Sequence, residues 1–301
     1  MNAKSSVIHQ QEAYLHKTEQ SKIAIIAGGL KLPKLLVEVC QKAGRPYYVI
    51  GIKGDVDQSW INQHPHTVLP IGKMGAYLKT LRKVDAKQVV MAGSVSRPEN
   101  IGDLDFDLRG AWWFWQLQRY CKKYDYPLGD ETLHTFLSKK LQDRGYEIIG
   151  PYDLLPEIMT EAKVYTKQEP DSQHWALIAR GAKAARSLGL ADKGQAVVIT
   201  KETLFKEDHR GTDALMQSIE TESDAVLVKT AKPGQTKAID LPTIGLQTVQ
   251  RAVERKLAGI AVEAGQSYFI DAAAAVKEAD KKGLFIVGFS DDDLNESDID
   301  E

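Results

Sequence analysis

Ile23–Lys34 reads IAIIAGGLKLPK. The apolar run before Gly28 is that of a strand buried on both faces. LPKLLVEVCQKAG (32–44) then sets apolar residues at helical spacing and closes on Gly44, and PYYVIGI (46–52) is a second strand. Strand, helix and strand in this order make a βαβ unit, which calls for a parallel sheet covered by helices. Pro33 suits the first helical turn, where its missing N–H removes no bond. Gly28 and Gly29, at a strand end facing a helix start, can bring backbone amides close to an anion. A tight turn with no ligand reads the same way. The dinucleotide fingerprint needs a third glycine where Leu32 and Pro33 stand, which disfavours a nicotinamide cofactor and the oxidoreductase class with it.

The alternation continues outward. IGKMGAYLKTLRKVDA (71–86), GAWWFWQLQRYCKKY (110–124) and DETLHTFLSKKLQDRG (130–145) read as helices, with QVVMAG (88–93) and YEIIG (146–150) as strands. PEIMTEAKVYTKQEPDS (156–172) carries two prolines and no clean period, so it reads as a linker. Beyond it HWALIARGAKAARSLGL (174–190) is a helix, and QAVVIT with TLFKED forms a hairpin turning at Lys201 and Glu202. TDALMQSIETE (212–222), LQTVQRAVERKLAG (246–259) and DAAAAVKEADKKG (271–283) read as helices. DAVLVKTA, IAVEAG, SYFID and LFIVGF read as extended segments. The expected fold is α/β: a Rossmann-like parallel-sheet domain over 21–155, a linker over 156–172, and a second, mixed α/β domain over 173–289. Residues 1–20 are polar and without period, and SDDDLNESDIDE (290–301) holds seven acids and no base, so both ends read as disordered.

Composition excludes several classes. Across 301 residues the apolar fraction is 43%, the charged fraction 27% and the net charge -2, which fits a globular chain and gives no basic field for nucleic acid. Cys40 and Cys121 stand far apart without a CxxC, so no disulfide framework or thiolate zinc site is implied. No run approaches the roughly 20 apolar residues of a membrane span, and the start reads as lacking a signal-peptide core, so a cytoplasmic protein is expected.

Seven stretches resemble one family in order along the chain: IAGGLKLP (26–33), GDETL (129–133), GPYDLLPEI (150–158), RGTDAL (210–215), VLVKTAKPGQ (226–235), DLPTIGLQT (240–248) and GIAVEAGQS (259–267). The family is that of the UDP-2,3-diacylglucosamine pyrophosphatases of the LpxI type, which act in lipid A synthesis. The resemblance implies a nucleotide-binding-like α/β domain, a linker and a distinct second domain. It also implies hydrolysis of a UDP-linked diacylated glucosamine to UMP and the diacylglucosamine 1-phosphate. Magnesium or another divalent cation would take part, with water attacking the phosphorus next to the sugar. The DLPxIG motif puts the family's catalytic aspartate at Asp240. The chain departs from the family at Leu30, where a small residue is usual, and at Arg210, where a glutamate is usual. Thr236 and Ala238 likewise stand for an acid and an arginine.

Phosphoryl transfer needs positioning and charge neutralisation, hence carboxylates for a hard metal and donors for phosphates. Asp240 and Asp213 are the candidate metal ligands and, with Thr212, the candidate catalytic residues, although Thr212 or Asp213 can equally cap the helix that follows. Gly28, Gly29, Pro33, Arg97, Lys229, Lys232, Gln235 and Glu263 are the candidate substrate contacts, and Glu263 can instead be a buried acid paired with a nearby lysine. A non-catalytic nucleotide-sugar or lipid binder on the same fold is the second reading. Among the remaining features, His64-Pro-His66 has a metal-like spacing but its proline argues for a loop, and His209 sits just before the GTD motif. Trp112, Trp113, Phe114 and Trp115 must put some rings in a core and others outward, where a Trp could rest at a bilayer surface. Peripheral contact with the membrane is expected on that ground.

Overall fold

The computed structural model describes residues 21–96, 104–124, 126, 128–208, 210–219, 224–232 and 241–294. The chain forms two compact units, one of residues up to 126 with 133–155, the other of 127–132 and 156 onward.

In the first unit, β1 (Lys22–Ala27) is the apolar run of the opening stretch, sealed from solvent at Ile23, Ala24, Ile25 and Ala27. Helix α1 (Leu32–Lys42) has Pro33 in its first turn and buries Leu36, Val37 and Cys40 along one face. Gly44, at φ 64°, lets the chain reverse into β2 (Tyr47–Ile52). Helix α2 (Gln58–Ile61) and β3 (His66–Leu69) follow, neither of them expected. The proline argument for a loop holds at His64 and Pro65, which form a bend, while His66 opens β3; the Pro65 carbonyl still accepts from Val49 N at 2.9 Å. After α3 (Met74–Lys83), β4 (Ala86–Ala92), α4 (Leu108–Tyr124), α5 (Asp130–Gln142), β5 (Glu147–Ile149) and α6 (Pro151–Leu154), the sheet runs β3-β2-β1-β4-β5. All its pairings are parallel. The order reverses between β1 and β4, the switch point of doubly wound sheets. Gly28 lies there, and a Cβ on it would run into the Ser94 carbonyl, so the close approach requires glycine.

The second unit begins with a 3-10 turn at Pro156–Ile158 and β6 (Lys163–Val164), then α7 (Ser172–Leu190), β7 (Ala196–Ile199) and β8 (Leu204–Lys206). It continues with α8 (Gly211–Gln217), β9 (Val226–Lys229), β10 (Thr243–Ile244), α9 (Leu246–Glu254), β11 (Gly259–Glu263), β12 (Tyr268–Phe269), α10 (Ala272–Lys282) and β13 (Phe285–Phe289). Six strands form a mixed sheet in the order β6-β13-β11-β9-β7-β8, while β10 and β12 pair separately. Val197, Ile199, Val226 and Val228 turn to α7; Ala196, Val198 and Leu227 turn to α8, α9 and α10. Cover on both faces explains why these strands are apolar throughout rather than alternating.

The expected linker is not a free connection: β6 pairs antiparallel with Gly288 and Val287 of β13 and so completes the sheet edge. Helix α8 stops at Gln217, short of the expected 222, because the Ser218 hydroxyl turns back to Leu215 O at 2.8 Å. The acidic end starts as structure: Ser290 N and Oγ donate to Asp293 at 2.7 and 2.6 Å, forming a 3-10 turn over Asp291–Asp293. Residues 1–20 and 295–301, read as disordered from sequence, lie outside the described residues. Among the described residues no helix is long and apolar enough to cross a membrane, and Cys40 and Cys121 are free and buried.

Candidate active site at the carboxyl edge of the second sheet

Strands β9, β11 and β13 run parallel and end on one side of the sheet. Strand β7 begins on that side and β8 ends there, since Ala196 faces Lys229 and Val197 faces Lys206. The connections that carry these charged residues therefore share one edge: Asp192 ahead of β7, Glu207 after β8, Lys229 to Lys232 from the last residue of β9 onward, and Glu263 closing β11. Carboxyl ends of parallel strands are where open α/β sheets assemble their sites.

Lys229 is 6% exposed and its Nζ donates to Thr243 O at 3.2 Å. Lys232, also buried, pairs with Asp192, whose side chain is only 5% exposed. Asp192 sits at φ 49° just past α7, a left-handed conformation that aspartate tolerates better than most residues. Glu263 uses both oxygens within the protein: Oε2 accepts from Ala231 N at 3.0 Å and Oε1 from Arg186 Nη2 at 2.8 Å. Arg186 also reaches Asp291 at 2.6 Å. Burial opposes its charge, yet the bonds to Asp291 and Glu263 carry its pKa above the ordinary arginine value. Two carboxylates thus hold the chain at 231 and 232, just before the segment bearing Asp240.

The candidate residues named from the sequence lie in different places. Asp240, Gln235 and Arg97, with Thr236, Ala238 and His209, lie outside the described residues. Lys229, Lys232 and Glu263 come together at the edge; Glu263 is a partly buried, paired acid, but its partner is Arg186 and not the lysine expected. Neither Thr212 nor Asp213 caps α8, whose N-cap is Arg210. The Thr212 hydroxyl donates to Glu207 Oε1 at 2.6 Å, and Glu207 also accepts from Gln195 N and Ala196 N at 2.6 and 3.0 Å. Asp213 is an exposed acid paired with Arg251. Arg210 does not stand as a bare charge, because Asp208 takes its guanidinium at 2.6 Å.

In the first unit, Gly28 N donates to Ala92 O at 2.9 Å and Gly29 N to Ser94 O at 2.7 Å. The amides expected to meet a phosphate are therefore bonded inside the extension of the sheet. Pro33 is buried in the first turn of α1 and serves the helix.

Asp192, Glu207, Arg186 and Arg251 were missed. Asp192 carries a faint signal, a polar residue just past a helix end in LGLADKG. The other three look like ordinary surface charges in sequence, because burial of a single charge depends on strands far along the chain. Among the described residues no group of three metal-ligating side chains is found. Magnesium commonly takes one or two carboxylates and completes its shell with phosphate oxygens and water. Asp213 can serve as one such ligand once Arg251 releases it, so the residues present fit the ion in part.

Fold and edge define a two-unit α/β protein that gathers buried lysines and carboxylates at the end of its second sheet. The LpxI N-terminal domain model matches residues 22–158 and the LpxI C-terminal domain model residues 161–287. The UDP-2,3-diacylglucosamine pyrophosphatase LpxI of Caulobacter vibrioides is 33% identical over 278 residues, 89% of this chain and 97% of that protein. The chain belongs to the LpxI family.

Proposed function

We propose that the protein hydrolyses the pyrophosphate of UDP-2,3-diacylglucosamine to UMP and 2,3-diacylglucosamine 1-phosphate, in lipid A synthesis at the cytoplasmic face of a membrane. The observation that carries this reading is the match of both family domains along the chain together with a relative bearing that name. The edge supports it: Lys229 and Lys232 bring positive charge to the place where the DLPTIG motif returns to the sheet. Lys229 is bonded to Thr243 within that motif.

In the proposed reaction a water oxygen bonds to the phosphorus next to the sugar. The bridging P–O bond breaks, UMP leaves with that oxygen, and the water proton passes to Asp240. Lys229 and Lys232 offset the charge of the pyrophosphate, as phosphoryl transfer requires. Glu263 holds the main chain at Ala231, and Asp192 holds the Lys232 ammonium. A divalent cation, with Asp240 and Asp213 as its proposed ligands, would neutralise phosphate oxygens. Arg97, Gln235, Gly28, Gly29 and Pro33 remain proposed as contacts to the rest of the substrate. The amide bonds of Gly28 and Gly29 have to be exchanged for that role. A substrate with two acyl chains and a water-soluble UMP product fits an enzyme that works against a bilayer surface.

The test is UMP release from UDP-2,3-diacylglucosamine with magnesium, with and without EDTA, beside Asp240→Ala. The expected outcome is metal-dependent turnover that falls at least about a hundredfold in the variant. Substrate binding without turnover by the unaltered protein would replace this reading with that of a non-catalytic binder.

A further inference from the structure

We propose that the outer face of α4 is the surface by which the protein docks on anionic phospholipid. The helix has two faces of different character. Gly110, Trp113, Leu117 and Cys121 are buried, at the spacing of one helical stripe. Its seat is fixed by Asp107, which accepts from Gly75 N at 2.7 Å, Ala76 N at 3.1 Å and Gly110 N at 2.7 Å. A Cβ at Gly110 would strike the Gly72 carbonyl, so the helix lies close against its support.

The opposite stripe places Leu108, Trp112 and Trp115 outward at 94%, 54% and 43% exposure. The two indoles stack on one another at 4.7 Å, and the Arg119 guanidinium lies 4.8 Å from the Trp115 ring. Beside them is an open depression lined by Gly75, Asp107, Leu108, Arg109 and Trp112. Toward the carboxyl end of the helix come the exposed Lys122 and Lys123, with Tyr124 half exposed.

Charge selects the occupant. Residues 108–124 hold four bases, Arg109, Arg119, Lys122 and Lys123, and no acid, in a chain whose net charge is -2. A second copy meeting this face about a two-fold axis would set the four bases against four more. A nucleic acid strand would need open ring faces, and Trp115 already meets Trp112 and Arg119. Phospholipid accepts what is offered. Indole and leucine enter the interfacial zone edge-on while arginine and lysine stay among the anionic headgroups, as in helices that lie in a membrane surface.

The docking surface adds to the proposed reaction and uses none of its residues, so binding is measured without turnover. The protein is spun with sucrose-loaded phosphatidylethanolamine–phosphatidylglycerol vesicles and with phosphatidylcholine vesicles, beside Trp112→Ser/Trp115→Ser and Arg119→Gln/Lys122→Gln. The expected result is binding to the anionic vesicles only. It weakens about fivefold for each base removed and at least about tenfold in the tryptophan variant. Both variants alter exposed positions, so their far-ultraviolet circular dichroism stays that of the parent. Binding that is absent in the parent, or undiminished in the tryptophan variant, overturns the proposal. So does a tryptophan-dependent dimer in sedimentation velocity without vesicle binding, or indole quenching by a single-stranded oligonucleotide in place of vesicles.

Discussion

Lys232 and Asp192 make a pair whose side chains are 9% and 5% exposed. Arg210 and Asp208 make one whose side chains are 62% and 43% exposed. Equal chemistry has unequal weight here. Removing one partner from a buried pair leaves a charge that water no longer reaches, whereas an exposed partner is simply resolvated. Asp192→Asn is expected to cost roughly 3 kcal/mol in urea unfolding, and Asp208→Asn to leave the urea midpoint close to that of the parent. Equal losses would mean that Lys232 does not depend on this carboxylate. At this scale sequence was most informative where a backbone constraint shows as a residue type. Gly28 stands where no side chain fits, whereas the left-handed backbone of Leu30, at φ 69°, hides behind a residue type that rarely adopts it. It was least informative for charges. Glu263 and Asp213 look alike in the sequence, yet one holds a loop from inside the protein and the other faces water.

At the scale of elements, β1, α1 and β2 follow from periodicity and the punctuation of Pro33 and Gly44. The β7–β8 hairpin follows from two short runs around Lys201–Glu202. Helix α2 and β3 escaped because four-residue elements offer too little period, and their ends are set by contacts. Between them His64 Nδ1 lies 3.0 Å from Tyr47 Oη, and Gln41 Nε2 donates to the same hydroxyl at 3.2 Å. With Gln41 donating to it, the Tyr47 hydroxyl is free to give its own proton to a neutral imidazole. Burial, and then repulsion from His66, hold the His64 pKa below its ordinary 6.5. A lowered folded value means that the unfolded chain takes up the proton first, so stability from neutral His64 is whole above pH 6.5 and is lost as pH falls toward the folded value. The fall in Tm from about pH 7.5 to about 5.5 should be smaller in His64→Asn than in the parent. An equal fall in both would remove His64 from the acid response.

At the scale of the molecule, each unit has its own sheet and core, and sequence showed this as a break in pattern near 156. It did not show that residues 127–132 belong to the second unit, because six residues carry no core of their own. Gly129 of that strip stands against the Asp192 carboxylate with no space for a Cβ. Gly129→Ala, although it falls between helices of the first half, should weaken the second unit by about 1–3 kcal/mol. Hydrogen exchange should quicken at β7 and β9 amides and stay unchanged at β1 and β4; the reverse pattern would return the strip to the first unit. The chain thus changes unit at 126, at 132 and at 155. Inheritance feels this: a second half acquired by one recombination event near codon 156 would arrive without its strip.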